Sequence, residues 1–340
     1  MEDFQHFLRV PIATLPLPDL PPIDALPSLT GERIECTFQS SNPKIAAIEA
    51  EYRAGDLSHL SSDIDELMRE GTSAQYLQTL LLHAANLGDV LVVKKLLSVG
   101  VPISTNMISP AIRQRSLELL SLFLEYGWDI NREVGWCYPP PLSLALEGET
   151  DESVISWFLA NGADPDATCR MDITPLSIAV QYAPLSIIET LLEHAGSPWH
   201  GQLLHHAAGR TLDDCDAVVR LVLERCRLKV NDIMYLNHAF SFEIRRCVGL
   251  GTALHEAARS GSPKAVQVLL GCGADLTARN TCGQTALEVA EASGNQAVAE
   301  LLRQVQCTRE QNGKDEASEG RPLVDDKGTT ARGSFHNGKL

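Results

Sequence analysis

The sequence predicts an all-α solenoid of stacked helix–turn–helix units joined by projecting β-turn fingers, and three observations predict it. First, Thr252-Ala-Leu-His-Glu-Ala-Ala258 returns 33 residues later as Thr285-Ala-Leu-Glu-Val-Ala290, and Pro141-Leu-Ser-Leu-Ala145 returns 34 residues later as Pro175-Leu-Ser-Ile-Ala179. A fixed period of this size marks a repeat architecture in which each unit buries its apolar face against its neighbours. Second, each copy is followed by an apolar stretch that closes on glycine: Leu96-Leu97 before Gly100, Phe123-Leu124 before Gly127, Phe158-Leu159 before Gly162, Leu269-Leu270 before Gly273. Third, 44% of the residues are hydrophobic but only 5% are aromatic, so the core is made of small aliphatic side chains that let thin helices approach closely.

Residues 1–43 form a Pro-rich extension, with Pro11, Pro16, Pro18, Pro21, Pro22 and Pro27 alternating with Leu and Ile. Proline at that density forbids a regular helix and favours extended structure. The segment could be a ligand for a proline-reading domain or a cap lying along the first repeats. Residues 44–75 read as a degenerate N-terminal capping repeat: Ala54-Gly-Asp-Leu57 leaves a first helix, and Asp63-Ile-Asp-Glu-Leu-Met68 with Gly71 makes a second.

From 76 to 307 the units repeat. Thr79, Thr174, Thr252 and Thr285 take equivalent opening turns, and proline is tolerated in the first turn because its missing N–H is not needed there. In the second helices Val92, Val93, Leu96 and Leu97, and again Val154, Ile155, Phe158 and Leu159, share one helical face. Leu270 is expected at the buried inner position. Glycine then supplies a left-handed stop, and Gly162-Ala-Asp-Pro-Asp166 and Gly273-Ala-Asp-Leu-Thr277 turn outward into fingers. The unit from Ile108 to Gly127 is short. The stretch 231–251 is too long for one finger and holds Tyr235, His238, Phe240, Phe242, Arg245 and Arg246, so it is expected to pack as a small insert. Residues 308–340 carry balanced charge with few large apolar groups and are expected to be a disordered tail.

Thr-Pro-Leu, a second helix and Gly-Ala-Asp at a period near 33 closely resemble the ankyrin repeat. The resemblance covers residues 76–307 as six to seven repeats, some divergent. The long divergent fingers and the Gly-Thr-Ala-Leu-His phrase look like fungal members. The resemblance implies a concave face that grips other proteins, and neither catalysis nor a cofactor. It also implies that His205 and His255, at the Thr-Pro-Leu-His position, tie turns together. The expected role is a non-catalytic adaptor or scaffold, regulatory in character. A nuclear transcriptional co-regulator acting through a DNA-binding partner and a ubiquitin-ligase substrate adaptor are the alternatives.

A formal net charge of −16 excludes the clustered Lys and Arg that direct nucleic-acid binding needs, and it is repelled by anionic membranes. The longest apolar runs fall far short of a bilayer span. The N-terminus lacks a secretion pattern, and the nine scattered cysteines show no CxxC pair, so reduced thiols in the cytoplasm or nucleus are expected. His205-His206 with Cys215 supplies too few convergent ligands for a metal. Asp213, Asp214 and Asp216 read as a solvated helix start. Gly249-Leu-Gly251 lacks the strand and lysine of a phosphate loop. No catalytic set is expected.

The candidate partner-binding residues are Trp128, Asn131, Trp136, Tyr138, Asp164, Asp166, Arg170, Arg279 and Asn280, because they follow the glycines that end the second helices. Trp128, Trp136 and Tyr138 are either interface anchors or cover for the gap beside the short unit. The carboxylates suit a basic segment of another protein, and a monomer is expected.

Overall fold

The computed structural model describes residues 42–148, 150–196 and 200–319; most of the expected Pro-rich extension lies outside them. Sixteen α-helices follow one another with no strand among the described residues. They are α1 Pro43–Ala54, α2 Leu60–Arg69, α3 Gln78–Leu87, α4 Val90–Ser98, α5 Ile108–Arg113, α6 Leu117–Glu125, α7 Glu152–Ala160, α8 Pro175–Tyr182, α9 Leu185–His194, α10 Leu203–Ala208, α11 Cys215–Cys226, α12 Ala239–Arg245, α13 Ala253–Ser260, α14 Pro263–Gly271, α15 Ala286–Ala292 and α16 Gln296–Glu319. A 3-10 turn, Pro141–Ala145, takes the first-helix place of the unit that α7 completes. All but α7, whose partner is that 3-10 turn, and α12 fall into antiparallel pairs. The first pair, α1 and α2, occupies the stretch expected to cap the stack.

The first helices form an inner row, in which α3 packs on α5, α5 on the 3-10 turn, that turn on α8, then α10, α13 and α15 in succession. The second helices form an outer row, with α4 on α6 and α9, α11, α14 and α16 in sequence. One apolar core runs the length of the stack, from Ile45 to Leu302. Each repeat therefore rests only on its neighbours, as expected for a solenoid.

Local chemistry starts the inner helices. Thr174 and Ser177, Thr252 and His255, and Thr285 and Glu288 form reciprocal capping boxes that satisfy backbone donors at the helix starts. Thr79 departs from the expected pattern: it lies inside α3, which begins at Gln78 after a 3-10 turn, Ala74–Leu77. A second departure concerns α14, where Leu269 is fully buried and Leu270 sits half-buried at the edge of the core. Ala265, Val266 and Leu269 set the buried stripe, one residue out of phase with the expected one.

The far ends of the inner helices are tied across repeats. Their last carbonyls lack intrahelical partners, and a side chain from the next repeat supplies them. Gln114 Nε2 donates to Ala85 O at 3.0 Å and Asn86 O at 2.8 Å. Asn295 Nδ2 donates to Ala258 O at 2.8 Å and Arg259 O at 2.9 Å. Gly88 and Gly261 lie directly beneath these amides with φ of +72° and +75°, and a Cβ there would meet Gln114 Oε1 at 2.8 Å or Asn295 Oδ1 at 2.6 Å. Fully buried Arg210 does the same job as a guanidinium, donating to Val180 O at 3.2 Å and Ala183 O at 2.9 Å while a bidentate contact to Asp214 balances its charge.

The last helix corrects the expectation of a disordered tail from 308. Helix α16 continues through Glu319. Arg309, Glu310, Gln311, Lys314, Glu316 and Ala317 are good helix formers, and the nearest proline is Pro322, so nothing stops the helix at Cys307. Residues 320–340 lie outside the described residues.

Candidate protein-binding surface

The fingers open with an Asp-centred turn: Asp129, Asp164 and Asp275 each accept a hydrogen bond from the backbone N–H two residues on, at 3.0, 2.9 and 2.8 Å. Adjacent fingers are then clipped together by asparagine. Asn131 donates to Gly162 O at 2.9 Å and accepts from Asp164 N at 2.8 Å; Asn231 repeats this with Gly273 O at 3.2 Å and Asp275 N at 2.8 Å. Asn131, expected to meet a partner, spends its amide on the stack.

Two other expected contacts are corrected. Trp128 is 8% exposed and meets Phe158 edge-on, with ring centroids 6.1 Å apart. It fills the space beside the short α5–α6 unit, so it is core. Asn280 is 5% exposed and its Oδ1 accepts from the N–H groups of Cys282 and Gln284, shaping its own finger turn. Trp136 is half-buried, and its indole N–H is enclosed with no acceptor among the described residues. Asp166 is half-buried, whereas Asp164, Arg170 and Arg279 are exposed. Arg170 pairs with Glu133 of the preceding finger at 3.9 Å and Arg279 with Glu288 at 3.6 Å. The nine residues thus do not form one patch.

The hairpin Gly135–Tyr138 turns Tyr138 back over the inner row rather than outward. Its hydroxyl donates to exposed Glu147, at the end of the 3-10 turn, and the Tyr182 side chain at the end of α8 lies within electrostatic reach of it. Burial and the Glu147 carboxylate push the Tyr138 phenol well above its ordinary value. Tyr182 is 53% exposed. Tyr138, Glu147 and Tyr182 therefore make an aromatic and acidic patch on the inner face.

Farther along, the insert occupies the inner side of the stack. Tyr235 is fully buried with Met234 and Leu250, and Phe242 packs against them. The Arg245 guanidinium stacks 5.6 Å from the Tyr235 ring centre and donates to its hydroxyl at 3.1 Å. Tyr235 N donates to Gln202 Oε1 at 2.8 Å, and Gln202 Nε2 donates to Asp172 at 2.7 Å, so the insert is anchored to the preceding fingers. On α13, Arg259 donates to Gly249 O at 3.2 Å. Arg245 also lies within electrostatic reach of His206 on α10 and Glu256 on α13. The insert thus covers the inner face at α10 and α13. The aromatics of the insert pack as expected, but the inward choice of Tyr235 rests on tertiary partners that no local pattern announces.

The histidines are structural. His255 Nδ1 accepts from Thr252 N at 3.1 Å, so Nε2 carries the proton and donates to Gln284 O at 3.0 Å. His205 Nε2 donates in the same way to Asp232 O at 3.0 Å. Burial lowers His205 to about 4, and burial with repulsion from His205 and Arg245 lowers half-buried His206 to about 4. Burial raises the Glu256 carboxyl. No His, Cys, Asp and Glu group suited to a metal occurs among the described residues. No described helix is long and apolar enough to cross a membrane.

Comparison with known proteins agrees with this geometry. Residues 204–315 match the family of ankyrin repeats in three copies. A stretch of 81 residues, 24% of the chain, is 41% identical to the human protein fem-1 homolog A, and it spans 12% of that relative's length. Helix pairs, capped opening turns and clipped fingers recur through the described stack, which is an all-α solenoid of the ankyrin-repeat type with the family match at residues 204–315.

Proposed function

We propose that the protein is a non-catalytic scaffold that takes a basic segment of another protein on the inner face between α3 and α8. The single observation that carries this reading is the patch of Tyr138, Glu147 and Tyr182, where aromatic area lies beside a carboxylate. Such a patch suits Lys or Arg, which gain both an ion pair and a ring face. The insert supports the assignment by occupying the inner face at α10 and α13, while Asn86, Leu87, Arg113, Glu147 and Tyr182 remain exposed. Ankyrin repeats are protein-interaction modules, and the rigid stack presents this face without a cost in ordering. The eight described cysteines are all free thiols, which supports placement in the cytoplasm or nucleus.

A second reading places the partner on the insert's outer side, where Leu236, Ile244 and Val248 are exposed, Val248 by 62%. Affinity purification with mass spectrometry identifies the partner, and binding is then measured across a salt series. The inner-face reading expects affinity to fall steeply as salt rises. Affinity indifferent to salt would favour the apolar insert.

A further inference from the structure

We propose that Cys247 and Cys282 form a modification site: an intrachain disulfide, made by hydrogen peroxide and undone by a dithiol, that fastens the insert to the finger behind it. Cys247 lies in the 3-10 turn Arg246–Val248 at the exit of the insert, and Cys282 lies in the tip of the finger that precedes α15. The two segments are held side by side by their backbones. Thr281 N donates to Leu250 O at 2.8 Å, Leu250 N donates to Thr281 Oγ1 at 2.9 Å, and Thr281 Oγ1 donates to Arg246 O. Within this ladder Cys282 Sγ lies 3.7 Å from Cys247 O, and both thiols are exposed.

Disulfides form only where backbones already run close together, and the ladder holds these two segments side by side without the covalent bond. Cys247 Sγ leans on Ile244 O at 4.0 Å, a weak contact that a side-chain rotation releases. Buried Cys169, Cys215 and Cys226 are shielded from an oxidant by comparison. In the reaction one thiolate attacks the O–O bond, forming S–OH and releasing hydroxide. The second thiolate attacks that sulfur, forming S–S and releasing a second hydroxide. Two thiols and one hydrogen peroxide yield one disulfide and two waters, with two electrons passing from sulfur to oxygen. The bond would hold the insert down on α10 and α13, so the extent of open inner face would follow the thiol redox state.

The sequence makes the test clean, because trypsin releases each exposed cysteine on its own peptide: 247–259, 265–279, 280–303 and 304–309. The full chain is treated with hydrogen peroxide, free thiols are alkylated, and the digest is read by mass spectrometry. The expected product is 247–259 linked to 280–303, from protein that migrates as a monomer without reductant. The link is expected to disappear with dithiothreitol and in Cys282→Ser or Cys247→Ser, two exposed substitutions that provide independent folded controls. Hydrogen exchange at 239–250 is expected to slow in the oxidised chain. Recovery of Cys247 and Cys282 as separate peptides, linkage to 265–279, 304–309 or a second chain, or unchanged exchange at 239–250 would overturn the proposal.

Discussion

Single side chains hold neighbouring repeats in register. Asn131 and Asn231 each close two hydrogen bonds between fingers, so Asn231→Ala is expected to lower unfolding free energy by about 1–3 kcal/mol, read by urea denaturation. His205 makes a pH prediction. Its folded value near 4 lies below the ordinary 6.5 of a free histidine. Between those values the unfolded chain binds the extra proton, so stability is full above pH 6.5 and falls as pH drops toward 4. The loss from this residue is at most about 3 kcal/mol; His206 and His255, also lowered, push in the same direction, while Glu256, whose carboxyl is raised, opposes them. Melting temperature should decline through this window, and His205→Gln should flatten the decline. The residue scale is also where the sequence was least legible. Following a helix-ending glycine says that a residue leaves the helix, not where its side chain goes. Trp128 turned inward because the short α5–α6 unit left room, and Asn280 because its carboxamide shapes the turn.

At the scale of elements, the sequence was most legible where the phrase is intact. The repeat spacing marks opening turns at Thr174, Thr252 and Thr285, and each proves to be a capping box because the physics of a helix start is local. Helix α3 escaped that logic: a 3-10 turn precedes it, so Thr79 falls inside the helix rather than at its N-cap. The buried stripe of α14 was missed by one residue, because both Leu269 and Leu270 satisfy an apolar pattern and only the neighbouring helices decide between them. Leu269→Ala is expected to cost about 2–5 kcal/mol, and Leu270→Ala distinctly less, in chemical denaturation. Gly261→Val should destabilise by more than 1 kcal/mol, since it combines a left-handed backbone with displacement of the Asn295 clip. A variant at Gly261 that melts like the parent would remove the argument for the clip.

The whole molecule is a linear stack whose inner face is divided. From α3 to α8 its side chains face outward around Tyr138, Glu147 and Tyr182; at α10 and α13 the insert covers it. The solenoid fold was legible in the sequence because repeats restate themselves. The division was not, because it depends on Tyr235 meeting Gln202, far back in the chain, and on Gly249 meeting Arg259 of the next inner helix. The most direct measurement compares two surface variants against the purified partner, each first shown to melt like the parent. One carries Glu147→Lys with Tyr182→Ser, and the other carries Ile244→Ser with Val248→Ser. Inner-face recognition predicts that the first loses at least about tenfold in affinity, equivalent to about 1.4 kcal/mol, while the second binds as the parent does. Normal binding by the first and loss by the second would contradict it.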